Sequence, residues 1–293
     1  MFLGPVLAAL VAVSGAPDVS RLTPREKAAL VVVSGLPAPE GVAGVIVRRW
    51  DRTASRPEGA LAVADQEGGI VKTFPELPPW RPASAFTTTA DAYAAGRDTG
   101  RALRRASVDV DLAPVLDSPD GPLGSRHFRR AELGVAFLRG LASAGVGACA
   151  KHFPGLGSAP VSTDDRPHVD ARVRAQELGG FRAAVRAKVP CVMTSNAFYG
   201  GGRFRASISP ATYRLLRSTG FRGVAITDSL SIVRDAPVER WSRQAMRAGA
   251  DLLLFTSPDH ARRAIAALLP LARAGELDVH VKRVLAFRER YLR

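Results

Sequence analysis

One stretch of this 293-residue chain concentrates groups able to do chemistry: Ala150 to Asp170, AKHFPGLGSAPVSTDDRPHVD. It leaves an apolar run at Val146 to Ala150 and sets a cation, Lys151, beside an imidazole, His152. Pro154, Gly155 and Gly157 then turn the chain into a loop carrying Asp164, Asp165, His168 and Asp170. Reactive groups on a loop held by a rigid strand are a common way to build a site. A plainer reading also fits, with Lys-His as a solvated strand end and the acids capping the next helix. The remaining elements decide between the two.

Short apolar runs recur along the chain and read as buried strands: Gly44–Val47, Leu61–Ala64, Val108–Pro114, Val146–Ala150, Val189–Thr194, Gly223–Thr227 and Ala250–Phe255. Amphipathic helical patterns fall between several of them, at Thr89–Arg105, Ala131–Ala144, Ala171–Ala187, Ser209–Ser218 and Val238–Ala248, with a last one at Val279–Leu292. Thr23-Pro24-Arg25-Glu26 has the form of a capped helix start, predicting a helix to about Val33 that stops at Gly35. Continuous apolar strands alternating with helices imply a parallel sheet covered on both faces. Seven of them in one chain of this length favour a single-domain (β/α)8 TIM-type barrel, with an eighth strand still to be placed.

In such a barrel the site lies at the C-terminal ends of the strands. The residues there form a set: Asp65-Gln66-Glu67, then Asp117, then Lys151-His152, then Thr194-Ser195-Asn196, then Asp228-Ser229. No GxGxxG, P-loop or GxSxG motif competes with them. Carboxylates converging with a lysine and a histidine suit a polyhydroxylated substrate, and a pair of acids can cleave a glycosidic bond.

Composition narrows the field. The formal charge is +14, yet 36 of the 41 basic residues are arginines scattered along the chain, and aromatics make up only 6%. A nucleic-acid face needs clustered cations with aromatics between them, so no specific nucleic-acid partner is expected. Cys149 and Cys191 sit inside apolar runs and read as buried free thiols, and the five histidines show no metal spacing, so no metal or cofactor is expected. Residues 2–15 are apolar but too short to span a bilayer. They resemble a signal-peptide core without its usual positive start, which favours export to the envelope or beyond over retention and divides the chain into residues 1–20 and a barrel over 21–293. The oligomeric state is open.

The motifs DQEGG (65–69), APVLD (113–117), SRHF (125–128), KHFPGLG (151–157), VMTSNAFY (192–199) and VAITDSLS (224–231) occur in the order of glycoside hydrolase family 3. From residue 22 to 290 the chain resembles that family, and within it the single-domain β-N-acetylhexosaminidases. The resemblance implies a retaining exo-glycosidase acting on terminal β-linked N-acetylglucosamine of cell-wall or chitin-type fragments. Asp228 matches the nucleophile. Asp65 and Arg126 match residues that hold the terminal sugar, Lys151 and His152 match the pair lining its pocket, and Asn196 is placed beside them.

The chain also departs from that branch, which reads KHFPGHG, four residues, then Asp-Ser-His with the last histidine as acid/base. Here Leu156 replaces the loop histidine, and an ungapped match sets Asp164 where the catalytic histidine stands and Ser162 where its partner stands. His168 follows four positions later, with Asp165 three before it. Ile70-Val71-Lys72 stands where an arginine-containing segment is usual. Other family members supply the acid from a second domain, which is not expected after Arg293. Three readings stay open: His168 as acid/base, Asp164 as acid/base, or a carbohydrate-binding relative without one. A β-glucosidase or β-xylosidase of the same family is a further alternative.

Overall fold

Apolar strands that need cover on both faces here close on themselves. The computed structural model describes residues 18–201 and 204–292. The apolar 2–15 segment lies outside the described residues. Eight parallel strands run β1 (Val32–Ser34), β2 (Gly44–Ile46), β3 (Leu61–Ala64), β4 (Val110–Asp111), β5 (Gly147–Phe153), β6 (Cys191–Thr194), β7 (Val224–Thr227) and β8 (Leu253–Phe255). They are ordered β7-β6-β5-β4-β3-β2-β1-β8. A parallel bridge between Ile226 and Leu252, with Thr227 N donating to Leu252 O at 3.0 Å, joins the two ends into a barrel.

The period-two alternation of strand side chains sorts two apolar layers. Val33, Ile46, Val63, Leu112, Met193 and Ile226 pack inside the barrel. Val32, Val45, Ala62, Val192 and Ala225 face outward, against the helices. The helices are α1 (Pro24–Ala29), α2 (Thr89–Arg105), α3 (Ala131–Ser143), α4 (Ala175–Arg186), α5 (Pro210–Ser218), α6 (Val238–Ala248), α7 (Pro258–Arg273) and α8 (Asp278–Tyr291). Val284, Phe287 and Tyr291 of α8 join the interior layer. Each fully buried side chain of this size contributes about 1.5–3 kcal/mol. Fully buried Asp251 ties α8 down through Arg283 (2.9 Å) and His280 (3.0 Å), while Arg217 of α5 reaches it at 2.5 Å.

Three expectations need correction. The first helix keeps its cap, with Thr23 Oγ1 accepting from Glu26 N and Glu26 Oε2 from Thr23 N, but it ends at Ala29. Val32–Ser34 is instead the missing eighth strand, paired to β8 on one side and β2 on the other. A β-branched run buried on every side gives no amphipathic stripe, and pairing on both edges overrides the local helix signal. The fourth helix starts at Ala175 rather than Ala171, because Ala171 N donates to Phe198 O and keeps that segment extended.

The third correction concerns the cysteines, which are paired rather than free. Parallel register sets Cys149 of β5 opposite Cys191 of β6, Cα–Cα 4.4 Å, and the two form a disulfide across 42 residues of sequence. A register match between two distant strands has no local sequence signature. Denatured but unreduced protein is expected to titrate no free thiol. The double Cys149→Ser, Cys191→Ser variant is expected to lose about 2–4 kcal/mol of stability in denaturant melts. Two titratable thiols in the unreduced protein would contradict the pairing.

Candidate active site

The strand ends and the loop before α3 bring three of the expected residues, Asp65, Arg126 and Lys151, into one charged cluster whose centre is Glu67. Its carboxylate is almost wholly buried, 2% exposed at the side chain, and lies between two cations. Lys151 Nζ stands 2.6 Å from Glu67 Oε1 and 2.6 Å from Asp65 Oδ1. Arg126 grips Glu67 with both Nε (2.8 Å) and Nη2 (2.9 Å). Burial works against the Glu67 charge, but Lys151 and Arg126 outweigh it and hold the carboxyl at about 2. Burial likewise opposes the Lys151 charge, and Asp65 and Glu67 overcome it, so the ammonium is held above its ordinary value. Asp65 stays partly exposed at the mouth, with its other oxygen available to a ligand hydroxyl.

Beneath this cluster lies Asp111 of β4, fully buried. Its Oδ1 accepts from Gln66 N at 3.0 Å, while Oδ2 has no hydrogen-bond partner among the described residues. Burial pushes its carboxyl from 3.8 up to about 8 despite that hydrogen bond and Lys151. Gln66 in turn fixes the arm after β3: its Nε2 donates to Phe74 O and Pro78 O, both at 2.9 Å, and its Oε1 accepts from Phe74 N. The paired glycines of DQEGG are required there, because a Cβ on Gly68 (φ +101°) would lie 2.6 Å from Arg81 O.

Two buried acids clasp the KHFPGLG turn. Asp117 accepts from the backbone of His152 and Leu156 and meets His152 Nδ1 at 2.7 Å, which fixes the imidazole. Glu177, in the first turn of α4, accepts from Gly157 N (2.6 Å) and Ser118 N (3.0 Å). Tyr199 donates to Gly155 O at 2.7 Å.

Asp228 follows β7 at the same mouth. Burial raises its carboxyl; His152 opposes the shift and Asp164 adds to it, which places both groups within electrostatic reach of Asp228. Burial opposes the Arg126 charge, Glu67 and Asp65 favour it, and Asp164, on the exposed loop after β5, adds a smaller contribution. His168 is placed differently. Its ring stacks on Phe198, 4.1 Å between centroids, and Arg205 covers Phe198 at 4.5 Å. Its only ion contact among the described residues is Asp170, at 3.5 Å. Asn196 is buried, and its amide is engaged at both ends: Nδ2 donates to Ser229 O (2.9 Å) and Oδ1 accepts from Ser207 (2.8 Å). It therefore holds the loop beside Asp228 rather than offering a free amide to a ligand.

The barrel mouth thus carries Asp65, Arg126, Lys151, His152 and Asp228, with Asp164 on the exposed loop after β5 and His168 in an aromatic stack. Glu67 and Asp117 lay within the quoted motifs but had no role assigned to them. Glu177 and Arg205 gave no local signal, since Glu177's partners lie 20 and 59 residues away and Arg205 reaches Pro167 and Asp235 38 and 30 residues away. Among the described residues no group of three or more His, Cys, Asp or Glu is arranged to hold a metal ion. No helix among them is long and apolar enough to cross a membrane.

The chain is similar to known proteins in sequence and in fold. Residues 47–287 match the Glycosyl hydrolase family 3 N terminal domain. A beta-hexosaminidase of Stenotrophomonas maltophilia is 31% identical over 265 residues, covering 76% of this chain and 78% of that protein. One from Nitrosospira multiformis is 32% identical over 252 residues, covering 73% and 70%. Among solved structures, a family 3 beta-N-acetylglucosaminidase from Paenibacillus superposes with a TM-score of 0.83 at 27% identity, over 92% of this chain and 63% of that one. A family 3 glycosyl hydrolase from Mycobacterium smegmatis gives 0.79 at 26%, over 92% and 98%.

Two measurements probe the cluster. Glu67→Ala leaves Lys151 and Arg126 buried without their shared counter-charge and is expected to cost about 3–5 kcal/mol in denaturant melts; a loss below about 1 kcal/mol would contradict the bridging role. Asp111 is neutral in the folded protein up to about pH 8 but ionised in the unfolded chain above about pH 4. The unfolded state therefore binds fewer protons across that window, and stability falls as pH rises through it. Asp111→Asn is expected to flatten the fall in Tm between pH 5 and 8; parallel Tm profiles for the two proteins would contradict a neutral Asp111.

Proposed function

The chain belongs to glycosyl hydrolase family 3 and is an O-glycoside hydrolase; from that premise we propose that it is a retaining exo-enzyme releasing terminal β-linked N-acetylglucosamine, with Asp228 as nucleophile and Asp164 as acid/base. The names of the beta-hexosaminidase relatives and of the Paenibacillus enzyme support the sugar. Cell-wall or chitin-type fragments are the natural source of such ends.

In this reading Asp65 and the Lys151 ammonium hold hydroxyls of the terminal sugar over the barrel mouth. Asp228 attacks the anomeric carbon as Asp164 gives its proton to the departing oxygen, leaving the sugar esterified to Asp228. Asp164, now ionised, takes a proton from water, and the water oxygen attacks the same carbon to free Asp228. Two inversions give net retention. The single observation that supports the reading is the position of Asp228, just past β7, at the barrel mouth that also carries Asp65 and Lys151, while the ring of His168 stacks on Phe198. Asp117, bonded to the His152 ring, keeps that side chain oriented toward the same space.

The test compares a nitrophenyl β-N-acetylglucosaminide with the β-1,4-linked disaccharide, for the parent, Asp228→Ala, Asp164→Asn and His168→Ala. Asp228→Ala is expected to abolish turnover of both. Asp164→Asn is expected to lower kcat/KM for the disaccharide about 10²–10⁴-fold, to spare kcat/KM for the activated substrate, and to regain kcat with added azide. His168→Ala is expected to stay near parent. The Asp164 signature appearing in His168→Ala instead would reassign the acid. Binding of N-acetylglucosamine without any turnover would make the chain a binding relative, and preference for the nitrophenyl glucoside or xyloside would overturn the sugar.

A further inference from the structure

Helix α8 presents two faces of different chemistry. Val284, Phe287 and Tyr291 close the interior layer of the barrel from below. A Cβ on Gly147, the first residue of β5, would meet the Tyr291 ring at 3.4 Å, and Arg288 Nη2 donates to Gly59 O, just before β3. The helix thus crosses the N-terminal ends of the strands, on the side opposite the mouth that carries Asp228. Its outer face is open. At 3.6 residues per turn Val279, Lys282, Arg283, Ala286 and Arg290 share that face, and Val279, Lys282, Ala286 and Arg290 are exposed.

Between this face and the starts of β6 and β7 lies a groove of about 340 Å³, floored by Phe287 and Tyr291 and rimmed by Arg222, Lys282, Arg283 and Arg290. Among the described residues no carboxylate lines it; Glu289, the nearest acid along the helix, lies outside it. Arg283 is paired with Asp251 at 2.9 Å, whereas Arg222, Lys282 and Arg290 make no ion pair among the described residues. Arginines in the last turns of α2, α4 and α5 answer the helix dipole. That reason does not extend to Lys282, in the first half of α8, or to Arg222, in the loop before β7. The described chain also begins beside this helix. The turn Val19–Arg21 lies against α8, and Lys27 of α1 donates to Asp278, the first residue of α8, at 2.7 Å. Residues 2–15, which precede that turn in the sequence, are apolar.

We propose that the outer face of α8 and the groove beside it dock on the headgroups of an anionic lipid bilayer, with the apolar stretch before Asp18 as a second contact, so that the mouth at Asp228 faces away from the bilayer. Peripheral attachment takes two signals, a cationic surface and an apolar one, and both are joined to this helix. Unpaired cations around a groove free of carboxylates suit lipid phosphates. Nucleic acid would offer the same phosphates, but its bases need exposed rings to stack on, and Phe287 and Tyr291 are buried in the floor. Each cation near an anionic surface raises partitioning about fivefold, so three of them give about a hundredfold.

The experiment floats the full chain with vesicles of phosphatidylcholine alone and of phosphatidylcholine with phosphatidylglycerol. The parent is expected to bind the anionic vesicles about a hundredfold more tightly than the neutral ones, a preference that high salt removes. The combined Arg222→Gln, Lys282→Gln, Arg290→Gln variant is expected to bring the two within about fivefold, and Lys282→Gln alone to lose about fivefold, both with the parent's melting curve. A control variant, Arg139→Gln, Arg182→Gln, Arg186→Gln, removes the same charge from exposed positions on α3 and α4 and is expected to keep the preference. Equal affinity for the two vesicles, or the same loss in both triple variants, would overturn the proposal. Retention of a DNA duplex without vesicle binding would overturn it as well and assign the face to nucleic acid.

Discussion

The arrangement of this site depends on one buried carboxylate shared by two cations. Glu67 joins Lys151 of β5 to Arg126 of the loop before α3, and Lys151 passes the connection on to Asp65. Desolvating so many charges is unfavourable by itself, and each is tolerable only because the others are present. That mutual dependence turns a set of strand ends into a fixed pocket. It also explains the neutral Asp111 below: with two carboxylates already serving the cations, a third fully buried acid has no partner to ionise against.

The same logic of anchoring by buried acids recurs around the turn that leaves β5. Asp117 and Glu177 satisfy successive backbone N–H groups of the turn that leaves β5, so the loop carrying Asp164 departs from a rigid base. Arg205 completes the support. It donates to Asn196 O (2.7 Å) and Pro167 O (3.0 Å) and pairs with Asp235 (3.0 Å), linking the loops after β5, β6 and β7. Asn196 then connects that support to Ser229, beside Asp228. Positions of the reacting groups are thus set by contacts to backbone, which a change of one loop side chain leaves standing.

How much of this was legible in the sequence follows from the range of each interaction. Strand β3 and helices α2 and α6 were read with their observed bounds, because apolar runs and helical periodicity are local signals. The residues of the charged cluster were legible as well, since parallel strands deliver their C-terminal ends to one face and the motifs mark those ends. Val32–Ser34 was read as helix because its strand identity comes from two neighbours far away in sequence. The Cys149–Cys191 bond was missed for the same reason. The acid/base position is ambiguous in the sequence, where Asp164 and His168 stand four residues apart; in the structure Asp164 lies on the exposed loop and the His168 ring stacks on Phe198.

The account turns on Asp228 forming a bond to sugar within the pocket that Glu67 organises. The most direct measurement is mass spectrometry of the protein after incubation with a 5-fluoro N-acetylglucosaminyl fluoride, which slows hydrolysis of the ester more than its formation. The account predicts a mass increase of one fluorinated sugar per chain, located by proteolysis on the peptide containing Asp228 and absent in Asp228→Ala. Steady release of fluoride with no adduct on that peptide, or an adduct on another residue, would contradict it.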